Sequence, residues 1–404
     1  MAEDTGNIDK LRILFLTPRF PFPLIGGDRV KPYYIMSHLA QKHEITLVSF
    51  FHGGTAPKSY VREVENLGVR VFDIPLLPMN AAMRTASRMF GRLPLEVLFY
   101  TQKEFRERVD ELLTNEKFDL GFSFFMRTAE YLKDAPIKKI LMAEDCRTLY
   151  QRRSFEKSAS LKQKIVRLWE HKKLRSYEPE IVNHFDATTF VTRRDIDSMT
   201  EMNPDARYRL LTNGTDLNKF KPLEKYEDRE GILFAGKLDV WANVLMVRQI
   251  VNEIFPRIKQ KVRDVHLDIV GANPGQYILS LEKRNIKVTA NVPEMQPFLQ
   301  RARLFLHPHI GGSGIQNKLL EAMACGCPVV TTPTGIQGIP ARNGFEVLIG
   351  RTADELVKHS IKLLNNPDFA EEISFNARRV IEENHDWPVI FNQCDRIIEE
   401  VMNT

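Results

Sequence analysis

Leu11 to Thr17 is a nearly unbroken apolar run, and short runs of the same kind recur along the chain. Glu44 to Phe51, Val69 to Ile74, Phe118 to Phe125, Lys139 to Ala143, Ala187 to Val191 and Arg209 to Thr212 follow it. A segment apolar at successive positions is buried on both faces, which predicts parallel strands covered by helices. Helical spacing fills the gaps. It is seen over Val30 to Ala40, over Pro57 to Leu67, at Phe105, Val109, Leu112 and Leu113, and in the long charged stretch Leu161 to Asn183. The alternation predicts a doubly wound α/β sheet.

A second series starts at Gly231, with strands expected near 231–235, 265–270, 286–290, 303–307, 328–331 and 345–349. Between the two series, Lys219–Glu230 is polar, contains Pro222 and lacks periodicity, which predicts a surface connector. Two helical stretches close the chain around Trp387-Pro388, where the proline disfavours one continuous helix. The expected domains are 1–207, rejoined by a last helix at about 388–404, and 208–387. There is no internal repeat and no low-complexity tract.

The most informative stretch lies in the second series. Gly311-Gly312-Ser313-Gly314-Ile315-Gln316 leads into Asn317-Lys318-Leu319-Leu320-Glu321, between a strand at 303–307 and another at 328–331. Glycine lets a backbone approach a ligand closely. A helix that opens there aims unpaired N–H groups and a partial positive charge at the same point, which is an anion site. Lys318 adds a full charge, and Glu321 adds an acceptor for hydroxyls. Phosphate donors beside a hydroxyl acceptor suit a nucleotide or a nucleotide-sugar. In open α/β sheets, ligands bind at the carboxyl ends of strands, where this loop lies.

The run from Ser313 to Glu321, with Ala-Met-Ala-Cys-Gly-Cys-Pro-Val-Val after it, resembles the donor signature of glycosyltransferase family 4. Two more segments are similar to that family. One is Ile13 to Pro18 with Pro21-Phe22-Pro23 and Gly26-Gly27-Asp28-Arg29; the other is Leu233 to Asp239. The resemblance implies a GT-B fold, two Rossmann-like doubly wound domains facing a central cleft, with the last helix returning to the first domain. It implies a retaining enzyme that uses a nucleotide-sugar. The family commonly has two glutamates separated by seven residues. Glu321 fills the second place and Ser313 the first, a departure that bears on the donor sugar. Lys237 stands where the family usually has arginine, and Trp241-Ala242-Asn243 replaces the lysine region that follows.

By that resemblance the donor-binding residues are Gly27, Gly236, Lys237, Ser313, Gly314, Ile315, Gln316, Lys318, Leu319 and Glu321. Glu321 is expected to accept the ribose hydroxyls. Backbone N–H groups near Gly314 to Gln316, with Lys237 and Lys318, are expected to hold the diphosphate. Asp28 and Arg29 are expected near the acceptor, although Asp28 equally suits a helix N-cap. Asp145, at a strand end, suits either an acceptor hydroxyl and the leaving step or a cap for the next helix. Lys237, Lys318 and Asp145 are the catalytic candidates. No side-chain nucleophile is expected, because the leaving phosphate is thought to help deprotonate the acceptor.

Composition changes the picture little. The 404 residues are 43% hydrophobic and 27% charged, an ordinary globular composition with room for two cores. Four cysteines, Cys146, Cys325, Cys327 and Cys394, show no metal-ligand spacing and suit a reducing cytoplasm. Met1 to Lys10 is polar, unlike a signal peptide, and no apolar run approaches transmembrane length. There is no Gly-x-Gly-x-x-Gly after the first strand and no P-loop. Asp195-Ile196-Asp197 fits a helix start better than a metal site, and His307 and His309 are read as packed imidazoles. No metal and no cofactor are expected.

The net charge of +5 is mild, but it is unevenly spread. Residues 157–175 combine seven Lys and Arg with Leu161, Ile165, Leu168 and Trp169, and Arg84, Arg88 and Arg92 sit among Ala82, Met83, Met89 and Phe90. A solvated helix packed on its own domain accounts for this pattern, and so does an interfacial helix on anionic lipid. The expected activity is transfer of a sugar to a glycan, lipid-linked or small-molecule acceptor in cell-surface polysaccharide or glycoconjugate synthesis. The expected location is the cytoplasm or the inner face of the cytoplasmic membrane, with no nucleic-acid partner. The alternatives are a GT-B sugar-nucleotide epimerase and a non-enzymatic basic lipid- or nucleic-acid-binding protein.

Overall fold

The structure, a computed structural model, describes residues 10–157, 161–223, 225–311 and 313–404. The polar leader before Lys10, residues 158–160 and the Lys157 side chain of the basic segment, Glu224 of the connector and Gly312 of the glycine cluster lie outside the described residues. The chain divides into two compact units: Met1–Thr212 with Phe391–Thr404, and Asn213–Ile390.

The first unit holds β1 (Arg12–Thr17), β2 (Glu44–His52), β3 (Val69–Leu76), β4 (Leu120–Phe124), β5 (Lys138–Glu144), β6 (Ala187–Phe190) and β7 (Tyr208–Leu210). They form one parallel sheet in the order β3-β2-β1-β4-β5-β6-β7. The central strands β1 and β4 are largely apolar because helices cover both faces; Ile13 to Leu16, Leu120, Phe122 and Phe124 are almost fully buried. β7 pairs with β6, Thr189 opposite Arg209. The boundary expected at 207/208 therefore falls after Thr212. The last helix starts at Trp387 and joins this unit from Phe391. There His38 stacks on Phe391 with ring centroids 4.4 Å apart and bonds Asp395 at 2.9 Å.

The second unit holds β8 (Glu230–Ala235), β9 (Leu267–Gly271), β10 (Ile286–Ala290), β11 (Ala302–His307), β12 (Val329–Thr331) and β13 (Leu348–Ile349). These also form one parallel sheet, in the order β10-β9-β8-β11-β12-β13. The strand expected over 345–349 shrinks to two residues. The expected connector is not free-running either. Arg229 is buried and donates to the carbonyls of Leu299 and Ala302 at 3.1 Å each and of Cys325 at 2.5 Å, which ties that segment to its own unit.

Candidate functional site

In each sheet the order of strands reverses beside the first strand. β1 lies between β2 and β4, and β8 lies between β9 and β11. The crossovers leave in opposite directions there, so the loops after those strands part and leave room for a ligand. The glycine loops anticipated from the sequence follow β1, β8 and β11.

The second unit carries the denser set. Leu233 is opposite Phe305, so β8 and β11 end level with one another. Gly236-Lys237 and the loop Pro308–Gln316 thus leave the same edge of the sheet from adjacent strands. Gly236 N donates to Val270 O at 3.1 Å, and a Cβ on Gly271 would lie only 1.7 Å from Gly236 O. That close approach requires glycine at 271. Asn243 Nδ2 donates to Lys237 O at 2.8 Å, fixing the backbone while the Lys237 side chain stays exposed.

The loop after β11 is fastened from β12. Thr331 Oγ1 donates to His307 O at 2.7 Å, and Thr332 Oγ1 donates to His309 O at 2.5 Å. Gly335 fits because a Cβ there would lie 2.1 Å from Thr331 Oγ1. His307 is buried and stacks on His309, with ring centroids 5.3 Å apart. Burial pushes its imidazole well below the usual range, so it is neutral near pH 7. Both histidines are packed, as the sequence reading had it. Gly314 has φ 70°, a left-handed conformation that side chains resist.

The helix Asn317–Ala324 opens on Gln316 without a side-chain cap. Asn213 Nδ2 donates to Asn317 Oδ1 at 2.8 Å, and His385 Nδ1 lies 2.9 Å from Asn213 O, which steadies that end of the helix. Lys318 Nζ lies 2.6 Å from Glu321 Oε2, with side chains 37% and 17% exposed. One ammonium donor is used there; two remain, and so does Glu321 Oε1. Ser313 and Gln316 are half-buried, and Ile315 is 9% exposed. Leu319 has a fully buried side chain, and its N–H donates to Gln316 O at 2.8 Å.

In the first unit, Gly26, with φ 95°, is the N-cap of the helix Gly27–Leu39. Asp28 therefore sits in the first turn rather than at the cap, and its Oδ2 pairs with Arg19 Nη1 at 2.9 Å. Arg29 is half-buried beside it. At the start of the next helix, Arg147–Lys157, the N–H groups of Arg147 and Thr148 donate to Glu178 at 2.7 Å each. Asp145 Oδ2 lies 3.3 Å from Arg147 Nη1, in a chain of ion pairs that runs through Glu96 to Arg127. Burial works against the Arg147 charge, but Glu96 and Asp145 raise its pKa well above the ordinary value. Asp195 lies in the first turn of the helix Arg193–Thr200, whose N-cap is Thr192; Thr192 Oγ1 and Cys146 N–H both donate to the Asp195 carboxylate, at 2.5 and 3.1 Å.

One pair had no sequence signal. Lys31 is 2% exposed, and its Nζ lies 2.7 Å from Glu144 Oε1 and 2.8 Å from Leu211 O. Burial lowers the pKa of the Lys31 ammonium, and Glu144 opposes that shift. Glu144 has φ 71°, outside the range side chains ordinarily adopt, at the end of β5.

Residues 229–366, within the second unit, match the family model Glycosyl transferases group 1. A relative from Klebsiella pneumoniae, described as an uncharacterized 44.6 kDa protein in the cps region, is 23% identical over 398 residues, covering 94% of this chain and 98% of the relative. An uncharacterized glycosyltransferase of Methanocaldococcus jannaschii is 23% identical over 243 residues, 55% of this chain and 57% of that one. Among solved structures, sucrose-phosphate synthase from Thermosynechococcus elongatus superposes with a TM-score of 0.73 at 15% identity, covering 98% of this chain and all of the other. HepE from Anabaena, in complex with UDP and glucose, gives 0.65 at 14%, covering 96% of this chain and 100% of HepE. The fold is GT-B, and the chain is a glycosyltransferase.

Proposed function

We propose that the chain is a retaining, family 4-like enzyme that moves a sugar from a nucleoside-diphosphate-sugar to a glycan or lipid-linked acceptor. The observation that carries this reading is the edge shared by β8 and β11. There Lys237, the Gly314 loop, Lys318 and Glu321 leave adjacent strand ends in one unit. Glu321 accepts the ribose hydroxyls, and Lys237, Lys318 and the backbone N–H groups of Gly314 to Gln316 hold the diphosphate. Negative charge grows on that phosphate as the glycosyl bond breaks. Fixed donors therefore act most strongly in the transition state. Asp145, paired with Arg147, and Asp28 with Arg29 belong to the acceptor side. UDP is the first nucleotide to test, because HepE was solved with UDP and glucose. Synthesis of a cell-surface polysaccharide or glycoconjugate at the cytoplasmic face of the membrane is the setting we favour, in keeping with the cps region named for the Klebsiella relative.

The reaction requires no metal in this reading, since cationic side chains and N–H groups carry the phosphate charge. Incubation with nucleotide-sugars and an acceptor in EDTA is expected to give transfer, with the anomeric configuration of the donor kept in the product by NMR. An inverted product contradicts the retaining assignment. Activity lost in EDTA and restored by a divalent ion contradicts the metal-free one. Epimerised donor without transfer favours the epimerase.

A further inference from the structure

Two helices of the first unit expose apolar residues on the faces they turn away from their own core. In Leu161–Ile181, the buried residues Glu170, Leu174, Tyr177, Glu178 and Ile181 share one face. Leu161, Ile165 and Leu168 recur at intervals of four and three residues, on the opposite face. They are 74%, 58% and 41% exposed. Pro78–Arg88 repeats the arrangement, with Ala81 buried and Met79 and Met83 outward, and Phe90 just beyond is 84% exposed.

The two surfaces adjoin. The Phe90 and Trp169 rings lie 5.5 Å apart, and Lys173 Nζ donates to the carbonyls of Met89 and Leu93, the latter at 3.0 Å. Eight of the fourteen large apolar residues found exposed among the described residues fall between 77 and 90 or between 161 and 168. Such clustering is unlike the single exposed apolar residues of an ordinary surface. The charge is equally concentrated. Residues 77–93 and 161–175 contain nine Lys and Arg and a single acid, Glu170, which is buried, so these segments exceed the +5 of the whole chain. Arg84, Arg88, Arg92, Lys162, Lys172 and Arg175 are exposed.

We propose that this face docks the protein onto an anionic lipid bilayer, with the apolar side chains in the headgroup boundary and the cations on the lipid phosphates. Aliphatic and aromatic residues ringed by Lys and Arg match both layers of such a surface. No helix among the described residues is long and apolar enough to cross a membrane, so the contact is superficial. In purpose the inference rests on the membrane-proximal acceptor proposed above, and docking would bring the acceptor side to that surface.

The test is co-sedimentation of the full-length chain with vesicles of phosphatidylcholine, alone or with phosphatidylglycerol. Wild type is expected to partition at least about tenfold more onto the anionic vesicles and to be released by high salt. The pair Leu161→Ser/Ile165→Ser and the pair Lys162→Glu/Lys172→Glu are each expected to lower that partition about tenfold or more. All four positions are away from the core, and the thermal shift given by UDP without lipid checks that each variant is folded. That shift also reports the donor site separately, so a failure of docking and a failure of the donor assignment are distinguishable. Binding indifferent to lipid charge, or variants that pellet like wild type, overturns the proposal. So does a dimer in light scattering that the serine pair dissolves without any vesicle binding, which assigns the face to a second copy.

Discussion

Lys318→Ala is expected to lower kcat by about 10²–10³-fold, with a much smaller change in KM. Lys318 sits in the first turn of an uncapped helix, where the backbone already favours anions, and its ammonium adds the one full charge of that turn. A donor diphosphate is charged before reaction, but its bridging oxygen gains charge only as the sugar departs. A cation held at that point therefore lowers the barrier more than it tightens binding. The side chain is 37% exposed, so its loss leaves no core cavity, and stability should change by less than about 0.5 kcal/mol. Lys237→Ala should act in the same direction. If both variants raise only KM and keep kcat, the lysines bind the ground state alone.

Lys31→Met is expected to destabilise the first unit by about 3–5 kcal/mol, because it strands Glu144 as a buried carboxyl without its partner. The carbonyl of Leu211 loses its donor at the same time. Replacing both partners, Lys31→Met with Glu144→Met, should recover a large part of the loss, since an apolar pair of similar volume no longer carries an uncompensated charge. Calorimetric unfolding, with the transitions of the two units followed separately, reads this directly. Equal destabilisation by the single and double replacements would show that the pair is not coupled.

The parallel strands were legible because burial on both faces leaves continuous apolar runs, as in β1 and β11. β13 was expected too long, over 345–349, because two residues carry no pattern that marks their ends, and β7 was assigned to the wrong side because pairing is not local. The glycine loop was legible for a physical reason as well: Gly314 at φ 70° and Gly335 against Thr331 tolerate no side chain, so the composition records the geometry. Lys31 and Glu144 are 113 residues apart, and neither looks unusual alone. That Glu178 takes the first N–H groups of the helix Arg147–Lys157 was hidden for the same reason. The helix Pro78–Arg88 was missed as an element because its apolar stripe faces outward, so only its basic residues stood out.

The central claim is that the loops after β8 and β11 hold a nucleoside diphosphate through Glu321 and the lysines. Calorimetric titration of the intact chain with UDP, GDP, ADP and TDP, repeated on Glu321→Ala, tests it most directly. The expected result is saturable binding of at least one nucleotide, weakened about ten- to a hundredfold in the variant, as for a lost charge-assisted hydrogen bond of about 1.5–3 kcal/mol. Binding that is unchanged in Glu321→Ala, or no binding of any of the four, would contradict the account.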